Sequence, residues 1–252
     1  MPDNPYESTE QPHGKKPPRS AMGQLGRLLL YSAVIAVLVA LLLPATRSAR
    51  GPAMRVQCVN NMKQIMLGIL SYEADHGELP PAYTVDASGN RLHSWRTLIL
   101  PYMDASDVYE KIDLTKPWDD PANAAAREAI IPAYNCPSAA MTEDYTTYVA
   151  VVGSEFLFTG STPRKMEEAV DDASNTIAVL EVSLKHAVPW MSPEDVDEKT
   201  LLNAERALSS GHNRVVVGYL DGSVEAIDVD IDRNELRKML TIAGREAIGE
   251  DE

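Results

Sequence analysis

Residues 28–45 read LLLYSAVIAVLVALLLPA, an uncharged run of 18 residues. At a rise of about 1.5 Å per residue, a helix of this length covers roughly 27 Å, close to the thickness of the hydrocarbon core of a bilayer. A helix that is apolar on every face is typical of a membrane span. We therefore predict a transmembrane anchor over residues 25–45, with the Arg27 side chain extending to the membrane interface.

Two other interpretations of this run remain open, a buried core helix and a cleaved signal peptide. A core helix is rarely apolar on every face beside a polar tail. A signal peptide has a shorter apolar region and small residues before its cleavage site, a pattern that Pro44-Ala45-Thr46 matches poorly. The sequence therefore favours an anchor that stays uncleaved.

The segments on either side of the run set the predicted topology. Residues 1–24 are rich in proline and polar residues, which predicts a disordered tail. Four basic and three acidic residues lie within residues 1–27, and three arginines follow the run, so the positive-inside count slightly favours a cytoplasmic N-terminus. We predict a single-pass protein of the inner (cytoplasmic) membrane, with residues 46–252 as an extracytoplasmic domain.

The charge of the chain is strongly uneven. Its formal charge is −14, of which residues 1–27 contribute +1 and the remainder −15. A surface this acidic repels phosphate backbones. No nucleic-acid partner is therefore expected, although divalent cations could be attracted weakly.

Residues 55–76 predict a second, amphipathic helix. Its apolar residues recur at spacings of three and four: Val59, Met62, Ile65, Met66, Ile69 and Leu70. Gly77, with Pro80 beyond it, predicts the end of this helix, and Pro44 and Gly51-Pro52 predict kinks or breaks before it. An apolar helix that continues into an amphipathic one resembles the N-terminus of a type IV pilin or pseudopilin.

Later segments predict an antiparallel sheet against that helix. Tyr145–Val152 and Asn175–Val182 favour strands, and the second, being nearly all apolar, is expected to be central. Val215–Leu220 and Val224–Val229 flank Asp221-Gly222, a type I′ hairpin signal. The predicted fold class is α+β, in which a transmembrane helix continues into an amphipathic helix packed on an antiparallel β-sheet, as in pilins and pseudopilins.

Several further motifs occur in a fixed order along the chain. They are Leu41–Ala45, an arginine-rich segment, Gln57–Ile65, Pro80–Tyr83, His93–Tyr102, Lys116–Asp119, Cys136–Ser138, Tyr148–Gly153, Ser174–Ile177, Pro189–Met191, Pro193–Asp195 and Asp221–Val224. With these motifs, residues 41–248 resemble the bacterial domain-of-unknown-function 1559 family. The resemblance implies a prepilin-like N-terminus and an envelope location.

The N-terminus departs from the signature that this family often carries. That signature has glycine before a cleavage site, Phe-Thr-Leu after it and glutamate at the fifth mature position. Aligned on Pro44, the chain has Met22 in place of the glycine and Arg27 in place of the glutamate. We therefore expect no cleavage by a prepilin peptidase, and filament assembly is not implied. The family's His-x-Gly-Gly appears as His212-Asn-Arg-Val, which argues against a histidine-based role.

The chain has two cysteines, Cys58 and Cys136. Their number and spacing fit neither a disulfide scaffold nor a metal motif. They are either two unrelated buried thiols or one disulfide, which requires an oxidising compartment. For an exported domain we expect the disulfide, which would close a long loop and stabilise the fold by about 4 kcal/mol.

The three tryptophans form the candidate ligand platform. Trp95, Trp118 and Trp190, if exposed, could stack on a sugar or a peptide, whereas packing in the core is the simpler interpretation. Exposure decides between the two interpretations.

The carboxylates of Asp228–Glu235 suggest calcium. An EF-hand loop, however, has glycine and glutamate at its sixth and twelfth positions, which are Arg233 and Met239 here. We expect instead that Asp232 caps a helix and that Glu235, three residues later, completes a capping box.

Sequence motifs for catalysis are not evident. Ser209 and Ser210, near His212, lack the Gly-x-Ser-x-Gly turn, and neither zinc spacing of histidines nor a phosphate loop is present. We expect a non-enzymatic envelope protein without a cofactor or metal, acting through protein–protein contacts, for instance as an accessory of a secretion or pilus-like machine. The alternative is an anchored extracytoplasmic binding module for a glycan, solute or cation. The sequence predicts no oligomeric state.

Overall fold

The computed structural model describes residues 21–139, 142, 144–203, 208 and 214–243, with side chains for all of these except 21–24, 41–50 and 203. The predicted tail lies outside the described residues as far as residue 20. The chain divides into two compact units, residues 1–50 and 51–252, and each is described separately.

Helix α1 (Ala21–His76) contains the whole predicted anchor and amphipathic segment. It begins within the stretch assigned to the tail, and the breaks predicted at Pro44 and Gly51-Pro52 do not interrupt it. Its end is as predicted, because Gly77 has a φ of +75° and its N–H donates to the Glu73 carbonyl at 2.7 Å. A glycine in the left-handed region is the usual way to end a helix.

In the first unit, the described side chains of residues 25–40 are all exposed. The large apolar ones are 49% to 65% exposed: Leu25, Leu28, Leu29, Leu30, Tyr31, Val34, Ile35, Val37, Leu38 and Val39. Over the part of the chain that the structure describes, no helix reaches the length and hydropathy expected of a membrane span.

The second unit combines the C-terminal part of α1, from Gly51 to His76, with antiparallel sheets. The described strands are β1 (Tyr83–Val85), β2 (Arg91–Ser94), β3 (Tyr145–Thr146), β4 (Tyr148–Val149), β5 (Ile177–Glu181), β6 (Val188–Pro189), β7 (Arg214–Tyr219) and β8 (Val224–Asp228). β1 pairs with β2, β3 pairs with β6, and the largest sheet has the order β4-β5-β7-β8, all antiparallel. The α+β class is thus confirmed, and β5 is central as predicted.

Short helices connect the strands. They are α2 (Trp95–Leu98), α3 (Ser106–Tyr109), α4 (Ala124–Arg127), α5 (Glu198–Asn203) and α6 (Arg233–Leu240). The Asp232 carboxylate accepts from the N–H groups of Asn234 and Glu235 at 2.8 and 3.2 Å, which confirms the predicted cap of α6. The Glu235 carboxylate accepts from Lys238 Nζ at 3.2 Å.

The buried face of α1 packs directly on β7. Met62, Ile65, Met66 and Ile69 are fully buried, as their spacing predicted. A Cβ placed on Gly218 would lie 2.6 Å from Cγ and Sδ of Met66, so the helix approaches this strand more closely than a side chain would allow.

Alternation along β7 gives the sheet two apolar faces. Val216 belongs to the cluster that contains the α1 side chains, whereas Val215 and Val217 pack in a second cluster with Leu236 and Leu240 of α6. The sheet is therefore covered on both sides.

The β7–β8 hairpin is confirmed, but its turn differs from the type I′ turn predicted. A type I′ turn needs a positive φ at both central residues. Gly222 has a φ of +87°, whereas Asp221 is not among the residues with positive φ. Tyr219 N–H donates to the Ser223 carbonyl at 2.9 Å, so the loop is a three-residue connection that ends in a left-handed glycine.

The single strand predicted over residues 145–152 is wrong. β3 and β4 occupy this segment and pair with different strands, β6 and β5. Between them, Tyr148 N–H donates to Thr146 Oγ1 at 3.1 Å. This local bond replaces a ladder hydrogen bond and lets the chain change sheets at Thr147.

Candidate functional site

The second unit contains a buried ion pair. Arg96 Nη1 is 2.7 Å from Asp195 Oδ1, and the two side chains are 0% and 1% exposed. Arg96 comes from α2, and Asp195 comes from the Pro193–Asp195 motif. A charge-assisted hydrogen bond thus joins two segments that are distant in sequence.

The Asp195 carboxylate has further donors. Trp95 Nε1–H is 3.1 Å from Oδ2, and Ala150 N–H is 2.9 Å from Oδ1. Burial raises the pKa of Asp195, while the Arg96 charge and these N–H groups act in the opposite direction. The carboxylate therefore connects α2 with the chain that follows β4.

The Arg96 guanidinium is held by backbone carbonyls in addition to Asp195. Nε donates to Trp190 O at 3.0 Å, and Nη2 donates to Ser192 O at 3.1 Å and Glu194 O at 2.6 Å. Nη1 also donates to Tyr148 O at 3.3 Å. Every guanidinium nitrogen is thus occupied, and the cation organises the loop that carries Asp195.

The tryptophans do not form an exposed platform. Trp95 and Trp190 are 0% and 1% exposed, and Trp118 is partly buried against the same core. Trp95 packs near Phe158, and Trp190 stacks on Tyr134 with ring centroids 6.0 Å apart. Trp95 and Trp190 therefore pack in the core, as in the simpler of the two interpretations, and expose no ring face for stacking.

The predicted disulfide between Cys58 and Cys136 is confirmed. Cys58 lies on α1 and Cys136 in the loop after residues 132–134, with their Cα atoms 5.1 Å apart. Glu181, at the end of β5, places a carboxylate oxygen within 4.8 Å of both sulfurs. All three residues are at most 1% exposed.

His93 is a fully buried titratable group that the sequence interpretation missed. Burial lowers its pKa, and the nearby backbone of Lys116 and Asp113 and the Asp113 charge oppose this effect. Neither ring nitrogen completes a hydrogen bond of ordinary geometry. Burial therefore favours the neutral form of His93.

A polar cavity of about 590 Å³ lies beside Asp195. Its wall carries charges of both signs, from Arg91, Lys185, Glu194 and Asp197. Asp197 accepts a 2.6 Å hydrogen bond from Thr200 N–H, and its interactions with Thr200 lower its pKa. The remaining sequence candidates, Ser209, Ser210 and His212, lie outside the described residues.

Some of this site was recognisable from the sequence. Arg96 lies in the apolar stretch Trp95–Leu100, where a buried cation needs an acidic partner. Its partner could not be chosen among 37 acidic residues, since their separation carries no local signal. Glu181, in a strand predicted to be central, could have been recognised as a buried carboxylate.

Comparison with known proteins gives one match. Residues 47–157 match a family model described as "Protein of unknown function (DUF1559)". No curated relative and no solved structure matches the chain significantly. The matched range contains Cys58, Trp95, Arg96, Cys136 and Tyr148. Over residues 47–157 the match confirms the resemblance inferred from the ordered motifs: in this range the chain is similar to the domain-of-unknown-function 1559 family.

Proposed function

We propose that this chain is a membrane-anchored protein of the cell envelope, whose extracytoplasmic domain acts through contacts with other proteins. The exposure of residues 25–40 supports the membrane anchor, because their large apolar side chains are solvent-exposed on every face of the helix. Such a surface is costly in water and is stabilised by lipid. The uncharged run continues to Ala45.

The disulfide supports an extracytoplasmic location for residues 51–252. A bond between Cys58 and Cys136 persists in an oxidising compartment and is rare in the cytosol. Four basic residues precede the apolar run and three arginines follow it, a count that slightly favours a cytoplasmic N-terminus.

A pseudopilin-like role is supported by the packing of α1. Its second half lies on an antiparallel sheet, as a pilin-like domain requires, with Gly218 allowing close contact with Met66. Met22 and Arg27 in place of the processing residues suggest a subunit that stays uncleaved in the membrane.

The buried charges of the candidate site bond to the protein itself, which supports a role in protein–protein contacts and not in catalysis. The buried pair Arg96 and Asp195 bond to each other and to five backbone groups. These bonds fix loop positions and leave the pair inaccessible to a substrate. Their role is therefore to hold the domain surface in one shape.

Fractionation of cells that express the full chain tests the anchor. We expect the wild-type protein to remain in membranes after alkaline carbonate extraction. Replacing Leu29, Ile35 and Leu38 together by Asp should release it, whereas the control change Leu67→Asp, at an exposed site in the second unit, should not. A wild-type protein that is extracted by carbonate would contradict the proposal.

Topology and partners need separate measurements. A cysteine introduced at Ser88, in the exposed β1–β2 turn, should react with an impermeant maleimide in spheroplasts, whereas one at Ser8 should react only after lysis. The reverse pattern would contradict the orientation. Cross-linking in membranes followed by purification should capture discrete protein adducts, and their absence would contradict the contact role.

A further inference from the structure

Three metal-ligating side chains meet inside the second unit. Cys58 Sγ, Cys136 Sγ and a carboxylate oxygen of Glu181 all lie within 4.8 Å of one another. They come from α1, from the loop after residues 132–134 and from β5. Their burial, at 0% to 1% exposure, distinguishes them from the exposed carboxylates that are common on an acidic surface.

The donor set selects the metal. Two thiolates are soft ligands that Ca²⁺ and Mg²⁺ do not use, while one carboxylate oxygen is compatible with Zn²⁺. Zn²⁺ prefers four ligands in a tetrahedron and often takes three from the protein and one from water. Ser138 Oγ, 3.6 Å from Cys58 Sγ and half-buried, offers a hydroxyl beside the site.

We propose that the reduced form of this protein binds one Zn²⁺ through Cys58, Cys136 and Glu181, and that disulfide formation releases the ion. Metal binding and the disulfide exclude each other, because both use the same two sulfurs. The protein would therefore hold its cysteines with zinc before oxidation and with a covalent bond afterwards.

The redox step balances with a thiol reagent as the partner. A dithiol reductant gives two electrons and two protons to the Cys58–Cys136 bond, which yields two thiols and the oxidised reagent. Binding of Zn²⁺ displaces both thiol protons to water. In the reverse direction, a small-molecule disulfide takes two electrons from the thiolates and two protons from water, the S–S bond forms, and Zn²⁺ leaves.

The full chain, purified in detergent, provides the test. One sample is reduced with a dithiol without air, another is left oxidised, and each is mixed with ZnCl₂ and desalted. We expect the reduced protein to retain about one zinc per chain and the oxidised protein to retain none. Retention of no zinc by the folded reduced protein would overturn the proposal.

Substitution of the carboxylate separates this site from simple thiol binding. Glu181→Gln keeps both thiols and should weaken zinc binding by about tenfold or more. The matched control is Glu225→Gln, at an exposed carboxylate on β8, which should bind as the wild type does. Equal affinity of Glu181→Gln and wild type would remove Glu181 from the site.

Cobalt gives a measurement that does not depend on the variants. Co²⁺ added to the reduced wild-type protein should produce the intense visible bands of a tetrahedral ion and sulfur charge-transfer absorption, and a small-molecule disulfide should abolish both. Weak bands of an octahedral ion would contradict the proposed site, even if Glu181→Gln failed to fold.

Discussion

Arg96 Nη1 donates a 2.7 Å hydrogen bond to Asp195 Oδ1, and both side chains lie beyond the reach of solvent. Removing two charges from water is costly, and only their mutual attraction and further hydrogen bonds offset this cost. The carbonyls of Trp190, Ser192 and Glu194 supply such bonds. Either charge is therefore costly to bury without the other.

Asp195→Ala should destabilise the fold strongly. The change leaves the Arg96 cation buried without its counter-charge, which costs about 3–5 kcal/mol in comparable pairs. Chemical unfolding of the full chain in detergent, followed by tryptophan fluorescence, measures the loss. Asp107→Ala, which removes the exposed pair with Lys111 at 3.9 Å, is the control and should change little.

The double variant Arg96→Met with Asp195→Leu makes the test sharper. Without either charge, the desolvation cost disappears, so the loss should be smaller than the sum of the two single changes. Additive losses would mean that the two residues contribute separately.

Local signals in the sequence were sufficient for much of the fold. The spacing of Met62, Ile65 and Met66 located the buried face of α1, and Gly77 located its end. Asp221-Gly222 located the hairpin but not its turn type, because the dipeptide is compatible with both turns. These features depend on residues within one or two turns of each other.

Long-range features could not be obtained in this way. Arg96 and Asp195 are 99 positions apart, and only the folded chain selects this acid among many. Thr147 ended a predicted strand for a similar reason, since the competing pairings of β3 and β4 come from distant strands. The burial of Trp190 follows from packing on Tyr134, which no spacing indicates.

Gly218→Ala should weaken the contact between α1 and β7. The added methyl group would lie 2.6 Å from two atoms of Met66, so the helix or the Met66 side chain must shift, at a cost of about 1–3 kcal/mol. Thermal unfolding of the full chain measures the effect. Alanine usually stabilises a strand relative to glycine, so a lower thermal stability of Gly218→Ala would indicate the clash with Met66.

The control for this change is Gly51→Ala. A Cβ at Gly51 has no neighbour within 4 Å, and the helical position should gain up to about 1 kcal/mol. If both variants changed stability in the same direction, close approach of the helix would not be the cause.

Loss of the disulfide should reduce stability by about 4 kcal/mol, because it closes a loop with a separation of 78 residues. The variant with serine at both Cys58 and Cys136 tests this without leaving a free thiol. Its free energy of unfolding should match that of the reduced wild-type protein in the absence of zinc. Equal stability of the oxidised wild type and the variant would show that the bond does not constrain the unfolded chain.

Stability should fall as the pH falls below about 6.5, and His93 should account for part of this fall. Burial lowers the pKa of His93 below its ordinary value of 6.5. At pH values above 6.5, His93 is neutral in both the folded and the unfolded chain, and its contribution to stability is fully present. Below pH 6.5, His93 takes up a proton first in the unfolded chain. The free energy of unfolding therefore decreases until the pH reaches the lowered pKa of His93 in the folded state. His93→Gln should flatten the slope of stability against pH below about pH 6.5, measured by chemical unfolding. His76→Gln, at an exposed histidine, should keep the wild-type slope, and an equally steep slope in His93→Gln would assign the effect to other groups.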